Sequence, residues 1–172
     1  MHTDNKFDLI VVGAGHSGIE ASLAAAKRGL KVALFTIKIE AIGRMSCNPS
    51  IGGPAKGHLA REIDALGGEL AKSADLSGIH FRMLNRSKGP AVWAPRSQND
   101  RQKYHLLMRE AIEKEENIHL IEATIEEIIV ENDCVQGVIS QIGHCYYAPK
   151  IILATGTFLQ GKIHIGKISY AG

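Results

Sequence analysis

Two stretches of this chain carry residue types that could do chemistry. The first is Gly13-Ala14-Gly15-His16-Ser17-Gly18, which has the GxGxxG spacing. In that pattern the first glycine permits a tight turn, the second lets backbone approach a pyrophosphate, and the third lets helix and strand pack closely. A helix N-terminus behind it offers unpaired N–H groups and partial positive charge to phosphates. The second stretch is MSCNPSIGG, residues 45–53, with one thiol, one proline, two adjacent glycines and no charge. Cys47 lies upstream of an expected helix and near Arg44 and Lys56 in sequence. Positive potential favours the thiolate, the nucleophilic form of cysteine. A small buried hydrophobe is the plainer role for the same residue, and the residues alone leave both open. His16, His58, Trp93 and Tyr104 have plausible structural roles; an indole and a phenol beside basic residues also suit base stacking. No CxxC or His/Cys cluster suggests a metal site.

The elements around these stretches fit a nucleotide-binding unit. Phe7 to Val12 reads as a buried strand feeding the glycine motif. Ile19, Leu23, Ala26 and Leu30 then recur at helical spacing, Gly29 suits a helix end, and Lys31 to Phe35 reads as a second strand. This βαβ opening implies a parallel sheet. Pro54 is expected to begin another helix, with Leu59, Ile63 and Leu66 on one face and Gly67-Gly68 as its stop. Segment 69–97 lacks clean periodicity and reads as mostly loop. Ser97 to Asp100 resembles a capping box opening a helix to about Glu116. Ile118 to Ile121 reads as a buried strand. Three further β segments follow, at 124–131, 134–140 and 143–148, with turns at Asn132-Asp133 and Ile142-Gly143. Ile151 to Ala154 is a last apolar strand, ending at Thr155-Gly156.

Composition sets the frame. A chain of 172 residues, 45% apolar and 22% charged, suits one soluble domain with its own core. The net charge of +2 says little, but its distribution is uneven. Between Arg82 and Arg109 there are seven Lys/Arg against Asp100 alone, and between Glu110 and Asp133 nine acids against Lys114. Such a basic segment suits an anionic partner or simply a solvated face. Three cysteines, Cys47, Cys134 and Cys145, cannot all pair within one chain. No signal peptide or run of roughly 18 apolar residues is present. These features point to free thiols in a reducing cytoplasm.

The second strand ends at Thr36, where a ribose-binding acid is usual, and the nearest acid is Glu40. The later order is more telling. A helix, a strand, an antiparallel excursion over about 124–148 and a strand ending Ala154-Thr155-Gly156 resembles the Rossmann-like FAD domain of glutathione-reductase-type flavoproteins. That resemblance implies an α/β fold, with adenine gripped by backbone at Ile125 and residues 45–53 passing near the flavin ring. Gly52 and Gly53 would then let backbone come close to that ring.

The segments GAGHSGIEAS, MSCNPSIGGPAKGHLAREIDALGG, GIHFRMLNRSKGPAVWAPRSQNDR and ATGTFLQGKIHIG resemble, in the same order, one flavoprotein family. It is the MnmG/GidA family, the large FAD-binding subunits of the tRNA uridine 5-carboxymethylaminomethyl modification enzyme. The resemblance implies that residues 13–18 hold the FAD pyrophosphate and that Cys47 is a redox-active cysteine. It implies tRNA as substrate, a partner GTPase of the MnmE family, a homodimer, NADH, and methylene-tetrahydrofolate as carbon donor. Family subunits are much longer, so residues 1–172 are expected to form a partial FAD-binding domain, an N-terminal fragment with little activity of its own. The basic segment would face tRNA, the dimer partner or cofactor phosphate. Two alternatives share some of these features: a folate- and FAD-dependent tRNA uracil-5-methyltransferase, and a non-catalytic dimerisation or RNA-binding module. CNPSIGG and KGPAV argue against the methyltransferase.

Overall fold

In a computed structural model, residues 5–159 and 161–171 are described. The first residues of the lead-in MHTDNKFD, and Gln160 within ATGTFLQGKIHIG, lie outside that range. Strand β1 (Leu9–Val12), helix α1 (His16–Ala26) and β2 (Val32–Thr36) form the βαβ opening. They belong to a four-stranded parallel sheet ordered β10-β1-β2-β6, with β6 at Ile118–Glu122 and β10 at Ile151–Leu153. β1 and β2 are almost entirely buried because both sheet faces are covered. On one face Leu9, Val11, Val32 and Leu34 pack with α1 residues Ile19 and Leu23. Tyr104, Met108 and Ile112 of helix α4 (Arg101–Glu113) join that layer. On the other face Ile10, Ala33 and Phe35 meet Val138 and Tyr146 of an antiparallel sheet, with Phe35 and Tyr146 edge to face at 4.9 Å.

That antiparallel sheet is the expected excursion, now β7 (Ile125–Glu131), β8 (Cys134–Ser140) and β9 (Cys145–Tyr147). Asn132 and Asp133, at φ 49° and 58°, make the two-residue turn between β7 and β8. The fold is thus the expected Rossmann-like α/β arrangement with a three-stranded excursion.

Segment 69–97, expected to be mostly loop with short elements, holds more regular structure than that. It holds α3 (Leu70–Ser77), β4 (Gly78–Leu84) and most of β5 (Ala94–Asn99). β5 is the centre of a second antiparallel sheet ordered β3-β5-β4, whose edge strand β3 is Ser50–Gly52. The polar sequence APRSQN is a central strand only because β3 and β4 satisfy both its edges. Helix α2 starts at Lys56, two residues after Pro54, and runs to Ala65. Its expected apolar face is not buried: Leu59 and Leu66 are 57% and 90% exposed. The helix instead seats Gly57, where a Cβ would stand 2.5 Å from the Pro95 carbonyl oxygen. Leu30 also lies past the end of α1 and is exposed. Ser97 is no helix cap. The Asp100 side chain accepts from the Gln102 and Lys103 amides, so α4 begins three residues later than the capping box implied and ends at Glu113. A hairpin not expected from sequence, β11 (Lys162–Ile165) with β12 (Ile168–Ala171), is exposed throughout. Its partner strand is nearby in sequence, but its apolar residues cover nothing.

Candidate functional site

Because the main sheet is parallel, every strand delivers its following loop to the same, carboxyl edge. The glycine motif follows β1, Thr36 ends β2, Ile125 follows β6, and Ala154-Thr155-Gly156 follow β10. Each motif glycine has a distinct local reason. Gly13 has φ 109°, and a Cβ there would stand 2.4 Å from the Ala154 carbonyl oxygen. Gly18 is buried, with its Cβ position only 1.8 Å from the Gly13 oxygen. Gly15 differs. It is exposed, caps α1, and a Cβ would project into open space. Gly13 and Gly18 therefore shape the loop, and Gly15 leaves its outer side bare. Ser17 is exposed beside it, at the first turn of α1, where free N–H groups gather. This arrangement fits a pyrophosphate.

Ala14 and His16 link the loop to what lies behind it. The buried Ala14 accepts a hydrogen bond from the Gly43 amide at 3.0 Å. The His16 ring is tilted onto Tyr104, with centroids 5.6 Å apart. Burial pushes the His16 pKa below the ordinary imidazole value. Burial first, then the carboxylates of Glu20 and Glu69, hold the Tyr104 phenol above its usual range. His16 Nε2 and Tyr104 Oη are buried without hydrogen-bond partners. Glu20 is otherwise engaged: its carboxylate accepts from the Glu69 and Leu70 amides at the start of α3.

Thr36 is buried and its hydroxyl donates to the Lys38 carbonyl at 3.0 Å, while Glu40 sits exposed in the 3-10 turn Ile39–Ala41. Ile125 is the first residue of β7 and packs against the layer containing Phe35 and Val138. It stands next to the end of β2, since Ala123 donates to the Thr36 carbonyl.

Cys47 is exposed in the irregular chain between the 3-10 turn and β3. Cys134 is exposed too, and Cys145 partly so. The two glycines after Cys47 serve a neighbouring strand. Gly52 has φ 89° and a Cβ position 2.2 Å from the Pro95 oxygen, while the Gly53 amide donates to that same oxygen at 2.8 Å. Gly52 is therefore a glycine because β5 passes so close; only Gly53 faces open space where a Cβ would go.

The basic segment is dispersed over several elements. Arg82 and Arg96 oppose each other on β4 and β5, and Arg96 donates to the Ser50 hydroxyl at 3.2 Å. Arg86 and Lys88 lie in a 3-10 turn, and Arg109 pairs with Glu113 on its own helix. Trp93 is 41% exposed and ties its indole N–H to the Arg86 carbonyl at 3.3 Å. A cavity of about 360 Å³ under the small sheet is lined by Gly52, Gly57, Arg61, Arg82 and Arg96 among others, and by no residue of 13–18. Sequence reasoning missed Asn99, Arg101 and His105. Arg101 and His105 form an i,i+4 pair on one helix face that emerges only once Asp100 is taken as the cap, and Asn99 ends the strand before it.

Fold and loop together define a Rossmann-like α/β domain of the FAD-binding type. A family model described as glucose inhibited division protein A matches residues 8–172, so the chain belongs to that family. Two curated relatives are tRNA uridine 5-carboxymethylaminomethyl modification enzymes MnmG. That of Thermodesulfovibrio yellowstonii is 58% identical over 170 residues, covering 99% of this chain and 27% of the relative. That of Protochlamydia amoebophila is 50% identical over 167 residues, covering 97% and 27%. The solved structure of Aquifex aeolicus GidA superposes with a TM-score of 0.92 at 47% identity, covering 98% of this chain and 28% of that one. A GidA-related protein from Thermus thermophilus, at TM-score 0.66 and 21% identity, shares the fold. This chain spans about 27% of the length of its curated relatives. Among the described residues, no helix is long and apolar enough to cross a membrane, and no group of His, Cys, Asp and Glu is arranged to hold a metal ion.

Proposed function

We propose that this chain is the FAD-binding part of an enzyme that works with a partner GTPase of the MnmE family. Its product is a (carboxymethyl)aminomethyl group on C5 of the wobble uridine of certain tRNAs. The observation that carries this reading is the 58% identity to a relative of that activity along 99% of the chain. The exposed, unobstructed Gly15 face supports it. Residues 13–18 and the first turn of α1 hold the pyrophosphate by backbone N–H groups, and the backbone at Ile125 holds adenine. Cys47 supplies a redox-active thiol on the cysteine loop, and Gly53, six residues on, leaves its own backbone bare. FAD, when bound, supplies reversible electron acceptance. In the whole enzyme NADH supplies electrons, methylene-tetrahydrofolate the carbon, and tRNA the uridine; the enzyme is a cytoplasmic homodimer.

The test is purification of the intact protein, followed by its flavin spectrum and its modification of wobble uridine with the GTPase present. A colourless, inactive protein would overturn the reading. A Lys88→Ala/Arg96→Ala double variant addresses tRNA contact. It should flatten the salt dependence of tRNA binding by roughly two phosphate contacts, with flavin content unchanged. Loss of flavin with an unchanged salt slope would assign these residues to the active site instead.

A further inference from the structure

Segment 42–49 has no regular structure, so its backbone carbonyls lack ladder partners. Four of them are nevertheless satisfied: Asn48 accepts locally from the Ser50 amide, and the donors to the other three lie within seven residues at the β5–α4 junction. The Arg101 guanidinium donates to the Cys47 carbonyl. The Asn99 amide donates to the Pro49 carbonyl at 2.7 Å. His105 Nδ1 is 2.6 Å from the Ile42 carbonyl, which fixes that nitrogen as the protonated one. The junction is itself anchored: the Asn99 side chain donates to the Ala74 carbonyl and the Ser77 hydroxyl, and the Asp100 amide donates to the Ser77 carbonyl. The same helix reaches the phosphate loop. Arg101, Tyr104, His105 and Met108 follow i, i+3, i+4, i+7 spacing and so share one face. Tyr104 receives the His16 ring, and Met108 packs where a Cβ on Gly43 would stand, 2.8 Å away. Gly43 in turn donates to Ala14 within the phosphate loop.

We infer that this face of α4 is a clamp, and that Arg101 and His105 are positioning residues. They fix the cysteine loop by its carbonyls in one register with the phosphate loop, leaving the Cys47 side chain exposed for reaction. A charge-assisted bond to a carbonyl holds backbone without engaging the thiol. The inference rests on the proposed role of Cys47.

The experiment uses the intact flavoprotein with its GTPase. Arg101→Ala should lower kcat for uridine modification roughly tenfold or more, with KM for tRNA and FAD content unchanged. Hydrogen exchange should quicken in peptides covering 42–49 and stay unchanged in those covering 13–18. Arg101→Lys should restore most of the rate, because one carbonyl needs one donor. Unchanged exchange in 42–49, or flavin lost in parallel with activity, would overturn the clamp. Full activity of Cys47→Ser would instead overturn the role of the thiol, and with it the catalytic purpose of the clamp. The exchange data would still decide whether Arg101 orders the loop.

Discussion

The glycine loop (13–18), proposed to hold phosphate, and the cysteine loop (42–49) are one hydrogen bond apart, from Gly43 to Ala14, yet they are held in different ways. The glycine loop is shaped by its own neighbours together with the ends of β2 and β10, against which Gly13 is pressed. Gly13 and Gly18 pack on each other, and β1 and α1 flank them directly. The cysteine loop is held by residues fifty or more positions downstream. One region is a local device with one bare side. The other is a strand of irregular chain fastened from outside. The difference teaches that equal glycine content does not mean equal purpose. Gly15 and Gly53 face open space, whereas Gly13, Gly18 and Gly52 are each pressed against a carbonyl.

The largest expected effect tests that distinction within the phosphate loop. Gly18→Ala places a methyl 1.8 Å from the Gly13 oxygen and should cost about 3 kcal/mol of stability by overpacking. Gly15→Val, whose Cβ meets nothing, should leave the melting temperature of the flavin-free protein nearly unchanged and abolish retention of yellow cofactor. Thermal melts alongside flavin absorbance read both. Equal destabilisation by the two variants would erase the division between shaping and binding glycines.

A smaller effect is expected at the far end of the cysteine loop. Asn99 is 1% exposed, with its amide on the Ala74 carbonyl at 2.6 Å and its oxygen accepting from Ser97. Asn99→Ala leaves those buried groups unpaired, which should cost roughly 2 kcal/mol. Helix α4 runs from this junction onto the main sheet, but α1 and the β7–β9 sheet cover that sheet as well. Proteolysis should therefore cut within 42–53 or 85–93 before it cuts the main sheet. Simultaneous loss of both regions would show that they unfold as one unit and share more support than their separate contacts imply.

These contrasts also explain what could be read from the sequence. The βαβ opening, the excursion and the glycine motif were legible because strand, turn and helix are consecutive, and each residue's role is decided by close neighbours. The turn at Asn132-Asp133 was legible for the same reason. The small sheet was not. Pro95 and Arg96 look like loop, and Ser97 to Asn99 like the start of a helix, until β3, more than forty residues earlier, and β4 supply the edges of a strand. Leu59 and Leu66 misled in the opposite way, since a helical apolar spacing gives no information about whether anything covers it. Cys47 was visible as a chemical oddity, but Arg101, which holds its carbonyl, read as one more charge in a basic run.

His16 gives a pH test of the contact between the glycine loop and helix α4. Its folded pKa lies below the ordinary value of 6.5 because burial disfavours the charged ring. The unfolded chain therefore binds more protons than the folded one below that value, so stability falls as pH drops through and beneath it. Between neutral pH and about pH 5.5 the wild-type melting temperature should decline, and His16→Gln should remove part of that slope. Chemical melts across this range read it. An identical slope in the variant would mean that His16 is more solvated than its packing on Tyr104 indicates.

The smallest effect belongs to the Tyr104 hydroxyl alone, and its sign is the informative part. The ring is 0% exposed and packs on His16, but its hydroxyl has no partner. A buried, unpaired O–H opposes folding, whereas the ring's area and dispersion contacts favour it. Tyr104→Phe keeps the ring and removes the unpaired group. Stability should therefore be unchanged or rise by up to about 1 kcal/mol, with flavin content intact. Tyr104→Ala removes the ring as well and should cost roughly 3 kcal/mol or more through the cavity it leaves between α4 and the phosphate loop. If Tyr104→Phe were clearly destabilising, the hydroxyl would have a partner in solution. A water bridging Tyr104 Oη and His16 Nε2 would satisfy both orphaned atoms at once. The contact between α4 and the phosphate loop would then be polar as well as apolar.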